Sequence, residues 1–287
     1  MTETYDRTEV DVGNIVAFEH INLTVPDLGV AGLFYSNALG FTRDPYIDLG
    51  PTLLWFNLGR QQFHIPFGTD QVLRGTIEIT TPSLSALVAR LERIAKHLGG
   101  TKFGFESAGD AVMVTGPWGN RFLCREPAKG QLMELGIAAV NLPVAAGIAD
   151  GIGRFYQQVL GAPAELADGC CTVTVGPEQV LRFTETIEPV RPYDGHHIAV
   201  YVADFSGPHR RLVDRGLIEE ESNRTQYRFN WIVDPDTGER LFELEHEVRS
   251  LYNPLYARPL VNRNPEQRLP NYVPGADPYY PARPTRG

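Results

Sequence analysis

Through AFEHINLTV, which starts at residue 17, apolar and polar side chains alternate with the period of two that a half-buried strand shows. Pro26-Asp27 interrupts the alternation and starts a helix. That helix is predicted to be amphipathic and to close on the Leu-Gly of FYSNALGF (34–41), with glycine as its C-terminal cap. The same succession returns three times. Strands are predicted at GTIEITTPS (75–83), ELGIAAVNLP (134–143) and HHIAVYVADF (196–205), each followed by a helix, over 84–100, 151–161 and 205–216. FYQQVLGA (155–162) repeats FYSNALGF. After each helix come two or three short strands, joined by the glycine turns NLGRQQ, GPWGNR, VGPEQ and DPDTGER.

The repeat therefore reads strand, helix, three strands, over about 15–69, 70–129, 131–189 and 190–249. One such βαβββ unit cannot bury both faces of its sheet, so units must pair into curved, half-open barrels; the predicted class is α+β, with two barrels. In chain order 15–129 holds the first pair of units and 131–249 the second. Residues 250–287 form a proline-rich extension without periodicity. LYNPLYARPLV carries enough Leu, Tyr and Val to pack, so 251–265 is expected to wrap over its own domain or a dimer partner. Tyr252, Tyr256 or Arg263 would then reach a cavity mouth.

Composition narrows the class. With 43% hydrophobic residues in 287, the chain can build its core without disulfides, and three cysteines (Cys124, Cys170, Cys171) make neither a disulfide framework nor a zinc ribbon. A net charge of −9 argues against nucleic acid as a partner. No apolar run approaches the length of a membrane span, and MTETYDRTEVDVGN is too polar for a signal peptide. The expectation is a cytoplasmic protein with a small-molecule substrate and a possible homodimeric state. GPWGNRF (116–122) lacks the lysine of a phosphate loop and reads as a hairpin turn.

FEHINLTVPDLGVAGLFYSNALGF, GHHIAVYVADF and DPDTGERLFELEHE resemble the vicinal oxygen chelate superfamily, the group of glyoxalases, bleomycin-resistance proteins and extradiol dioxygenases, over about 15–249. The resemblance implies a divalent metal inside the curved sheet, with ligands from the first and last strands of each paired unit. On that implication unit one offers His20 and His64, and unit four offers His197 with Glu243 or Glu245. In unit two the matching positions fall near Thr76 and Leu123 or Cys124, and in unit three near Gly136 or Ile137 and Thr184, none of them good ligands. Pairing unit one with unit four would gather the ligands in one barrel and leave the other vacant. Gly59 precedes His64 by five residues and Gly238 precedes Glu243 by five, which favours Glu243 as the metal ligand and Glu245 as the catalytic carboxylate. The turn DPDTG is one residue longer than the family's usual form, which keeps Glu245 open as the ligand. His196 and His246 should point to the other face, His246 as a surface residue or behind a ligand, and His97 and His209 should be solvated.

Three imidazoles and a carboxylate suit Fe2+ foremost, with Mn2+, Ni2+, Co2+ or Zn2+ as alternatives, and leave open positions for substrate oxygens or O2. The leading expectation is a non-haem iron oxygenase acting on a phenolic, catecholic or oxo/hydroxy molecule. The alternatives are a glyoxalase-type isomerase, epimerase or lyase working through an enediolate, and a metal-free small-molecule binding or resistance protein.

Overall fold

A computed structural model describes residues 5–45, 52–258 and 260. Unit one comprises β1 (Ile15–Asn22), α1 (Leu28–Gly32), β2 (Thr42–Arg43), β3 (Leu53–Leu58) and β4 (Gln61–Pro66). Unit two comprises β5 (Thr76–Thr80), α2 (Leu84–Ala95), β6 (Gly104–Ala108), β7 (Ala111–Thr115) and β8 (Arg121–Arg125). Unit three comprises β9 (Gly136–Ala145), α3 (Ala149–Phe155), β10 (Ala164–Ala167), β11 (Cys170–Gly176) and β12 (Gln179–Thr186). Unit four comprises β13 (His197–Val202), α4 (Ser206–Val213), β14 (Ile218–Asn223), β15 (Gln226–Val233) and β16 (Arg240–Ser250).

The strands form two eight-stranded sheets, ordered β14-β15-β16-β13-β1-β4-β3-β2 and β10-β11-β12-β9-β5-β8-β7-β6. Unit one thus pairs with unit four, and unit two with unit three, as the histidine distribution suggested. Each half of the chain gives one unit to each sheet. In both sheets the first strands of the two units run antiparallel at the centre, and each is flanked by the parallel fourth strand of its own unit. This brings four first- and fourth-strand faces together over one concavity per sheet.

Asp27 caps α1, its carboxylate accepting from the Val30 amide. The helix closes differently from the regular α-turn expected: residues Leu33–Ala38 and, in unit three, Tyr156–Leu160 form wider π-turns. The extra residue per turn lets adjacent aromatics, Phe34 with Tyr35 and Phe155 with Tyr156, all point into the core. Tyr35 packs on Phe56 and Phe63, and Phe155 and Tyr156 reach Phe229 and His246 of unit four. His246 is therefore not a surface residue. It is fully buried, its Nδ1 donating to the Leu244 carbonyl at 2.7 Å and its Nε2 accepting from the Tyr156 hydroxyl at 2.6 Å.

Two glutamines at matching strand starts join the sheets. The Gln179 side chain donates to the Phe18 and Ile137 carbonyls and accepts from the Phe18 amide, while Gln61 Oε1 accepts from the Ile137 amide. Gly59 lies at the same junction with φ +61°, where an added Cβ would sit 1.9 Å from the Leu135 carbonyl oxygen.

Candidate metal centre

The concave face of the sheet shared by units one and four gathers His20 and Asn22 from β1, His197 and Tyr201 from β13, Gln62 and His64 from β4, and Glu243, Glu245, Glu247 and Arg249 from β16. Ladder register sets their depth. Asn22 lies opposite His197, His20 beside Gln62, Asn22 beside His64, and His197 beside Glu245. Glu247, two residues further along, thus occupies in unit four the level that His64 occupies in unit one.

His20, His197 and Glu247 converge, with ligand atoms all within 4.8 Å of one another. His20 Nε2 is 3.4 Å from His197 Nε2, which is 3.6 Å from a Glu247 carboxylate oxygen. Among the described residues this is the group of histidines and acids arranged to hold an ion. The donor chemistry fits a metal. His20 Nδ1 donates to Glu19 at 2.7 Å, which fixes the tautomer and leaves the Nε2 lone pair aimed at His197. Burial holds both rings neutral, pushing His20 well below its ordinary pKa and His197 down to about 3, and a neutral imidazole is the ligating form.

Glu19 reaches its neighbour through a local irregularity. The β1–β13 register shifts between Phe18 and His20, and the bulge turns consecutive side chains toward one face instead of opposite faces. Glu19 also accepts from Arg249 Nη1 at 2.6 Å and from the Tyr201 hydroxyl at 3.3 Å. Arg249 continues to Glu247, and Arg228 bridges Glu247 and Glu245. Four carboxylates (Glu19, Glu220, Glu245, Glu247) against two guanidiniums (Arg228, Arg249) leave the network net negative, which favours a cation between the rings. The site opens toward Arg228 and Glu245, whose side chains keep 24% and 20% of their exposure, while His20 is fully buried.

The other expected residues lie elsewhere. His64 stacks between His20 and Trp55, with ring centroids 3.6 and 3.5 Å away, and its Nε2 bonds Gln62 Oε1 at 3.2 Å. It lies against the converging group, not within it. Glu243 is on the right face but opposite Trp231, four residues short of Glu247 along β16, and its backbone carbonyl accepts from Arg74. The count from the turn glycine points to Glu243, whereas the carboxylate standing with the two histidines is that of Glu247; the strands differ in length, β16 having 11 residues where β4 has 6. A four-residue offset preserves the face and changes the depth. Glu245 stands 3.5 Å from His197 Nδ1, and burial raises its carboxyl pKa. Glu19, Glu247, Arg228 and Arg249 were missed. The run ELEHEVR announces three carboxylates on one face, but only register selects among them.

His196 points away from the site as expected, its Nδ1 on Asp194 at 2.6 Å, and His209 bonds Glu221 on the surface. The chain after β16 turns back over its own sheet. Tyr256 packs edge-on to Tyr201, and Arg258 is buried on Asp44, which also accepts from Gln62 and so reaches His64 through one amide. Tyr252 is 91% exposed, and Arg263 lies outside the described residues.

Two sheets of paired βαβββ units, each with the first and fourth strands of its units at the centre, have the glyoxalase/dioxygenase-like fold. Solved structures bear this out. A candidate dioxygenase from Bacillus subtilis subsp. subtilis str. 168 superposes with TM-score 0.56 at 13% identity, covering 84% of this chain and 86% of that one. Glyoxalase I from Zea mays superposes with TM-score 0.55 at 14% identity, covering 81% and 92%, and a point mutant of the same enzyme gives 0.55 at 16%, covering 84% and 94%. No family model and no curated protein matches the sequence. No helix among the described residues is long and apolar enough to cross a membrane.

Proposed function

We propose that the chain is a divalent-metal enzyme in which His20, His197 and Glu247 hold the ion, and that it is an oxygenase of a small oxygen-bearing molecule. The observation that carries this reading is the convergence of two imidazole nitrogens 3.4 Å apart with one carboxylate oxygen. Two histidines and one carboxylate with positions left open are the ligand set of non-haem Fe2+ oxygenases. Such an ion would polarise substrate oxygens and bind O2 beside them. The chain's own residues would do the rest. Glu19 orients the His20 ring, Arg249 and Arg228 hold Glu247 in place, and His64 with Trp55 forms a flat wall against which an aromatic substrate could stack. The Arg228–Glu245 side admits the substrate.

Glu245 favours a second reading. A half-buried carboxyl with a raised pKa next to the ligand shell is placed to move a proton, as a glyoxalase-type isomerase or lyase requires. The two separate experimentally. Protein purified without a histidine tag is analysed for metal, reloaded with Fe2+, and screened with catechols, 2-oxo acids and α-hydroxy ketones for O2 uptake and for solvent deuterium incorporation at substrate carbon. O2 uptake supports the oxygenase; deuterium exchange without O2 uptake replaces it with the isomerase. Failure to bind any divalent ion ends both and leaves a metal-free binding protein.

A further inference from the structure

The second sheet repeats the architecture of the first with different chemistry, and ladder register gives the correspondence. In the first sheet the central strands pair Asn22 with His197; in the second they pair Asn141 with Thr76. Matching the two junctions puts Thr76 at the level of His197 and Ala139 at that of His20. Arg121, beside Thr76, takes the place of Glu245, Leu123 that of Glu247, and Arg182, beside Asn141, that of His64. Thr76 and Leu123 are where the sequence placed them, whereas unit three is offset from the expected Gly136 or Ile137 and Thr184. Where one sheet gathers lone pairs that suit a cation, the other has exchanged a carboxylate and an imidazole for guanidiniums.

A cleft of about 580 Å³ opens there, within the range of small-molecule sites. Thr76, Arg121, Asn141, Thr184, Glu185 and Arg191 are among its walls. Its floor is held by a closed network: Asn141 donates to Glu78 at 2.7 Å, and Arg182 reaches both Glu78 and the Asn141 oxygen at 3.2 Å. Arg125 on the same strand is paired with Asp110. Arg121 and Arg191, by contrast, have no carboxylate partner among the described residues. The one acid in the wall, Glu185, accepts from the Ala149 and Gly147 amides, which hold its carboxyl below the usual range, so it is ionised and bound to main-chain donors, with no ion pair to either guanidinium among the described residues. Two guanidiniums against that one carboxylate leave a positive lining on a chain whose net charge is −9.

We propose that this cleft is a second ligand site, taking a small organic molecule through a phosphate or carboxylate group gripped between Arg121 and Arg191. Guanidiniums recognise both groups by the same paired hydrogen bonds. The Thr76 hydroxyl beside them can donate to the same oxygens. The site is distinct from the metal centre and does not depend on it.

The test is calorimetric titration of the full-length protein at low ionic strength with inorganic phosphate in one arm and succinate in the other. Each arm is run before and after chelator treatment, so that an anion bound to a metal at the first site is recognised. The expected result is saturable one-to-one binding in one arm that survives chelation. Arg121→Gln and Arg191→Gln should each weaken it by about tenfold or more, the loss of a charge-assisted pair, while Arg215→Gln on the exposed end beyond α4 should leave it unchanged. The arm that binds names the group. No saturable binding in either arm, binding abolished by the chelator, or equal binding by all variants overturns the proposal. All three arginines are exposed, so the variants should fold, and an unchanged urea midpoint verifies this.

Discussion

Glu243 and Glu247 share a face of one strand, and four residues decide which can meet the histidines. Their separation of roughly 13 Å along an extended chain is too large for one carboxylate to stand in for the other. His20→Ala, His197→Ala and Glu247→Ala should each lose bound metal, whereas Glu243→Ala should retain wild-type stoichiometry in elemental analysis. Retention by Glu247→Ala with loss by Glu243→Ala would reverse the assignment. Glu19→Gln keeps the ring contact but weakens its acceptor, and metal affinity read by competition with a chromophoric chelator should fall by about 10- to 100-fold. The buried histidines also carry a pH signature. His246 is held neutral by burial, its pKa lowered to about 4 in the fold against about 6.5 when unfolded. The unfolded chain therefore takes up the proton first as pH drops. Stability contributed by the neutral ring is complete above about pH 6.5 and is lost between there and about pH 4, by up to about 3 kcal/mol for this residue. His20, His64 and His197 shift in the same direction. Urea midpoints of chelated protein should fall steeply from about pH 7.5 to about pH 4.5; a flat profile would contradict the assigned neutral state.

Strands and the C-terminal segment act as units. The bulge in β1 brings the side chains of two neighbours, Glu19 and His20, into contact on one face, and the length of β16 sets which glutamate stands beside His20 and His197. The segment after Ser250 behaves as part of the domain. The Arg258 and Asp44 side chains keep 2% and 0% of their exposure, and they pair at 2.5 Å. Removing one partner breaks a buried ion pair, so Arg258→Ala should cost about 3 kcal/mol by urea unfolding. The double variant Asp44→Leu/Arg258→Met should recover most of it. If Arg258→Ala unfolds at the wild-type midpoint, the segment does not seal this face.

The halves of the chain interlock because each sheet takes one unit from each half, so the sheet–sheet junction is a point of shared dependence. Gly59 and Gly238 both turn hairpins with positive φ (+61° and +76°), yet a Cβ on Gly59 would meet the Leu135 carbonyl at 1.9 Å and one on Gly238 would meet nothing within 4 Å. Gly238→Ala should cost about 1 kcal/mol, the backbone term alone. Gly59→Ala should cost several times more, because main chain of the opposite sheet must move. Equal urea midpoints for the two variants would mean that the junction is not as close as described.

Alternation of apolar and polar positions, together with the repeated FY…LG helix ends, determined the four βαβββ units and their paired sheets. Those signals are local, and strand and helix periods are set by backbone geometry alone. The placement of His20 and His197 on one face followed from the same alternation. The sequence also suggested which units share a sheet, because ligand-type residues occupy the matching strand positions only in the first and last. Only the tertiary structure showed the rest: that of three carboxylates Glu247 converges with His20 and His197, that His64 lies in a ring stack beside them, that Arg258 returns to Asp44, and that guanidiniums stand at the corresponding level of the second sheet. Each depends on register between strands far apart in the chain, and register is fixed by long-range packing and hairpin length, which no window of sequence contains.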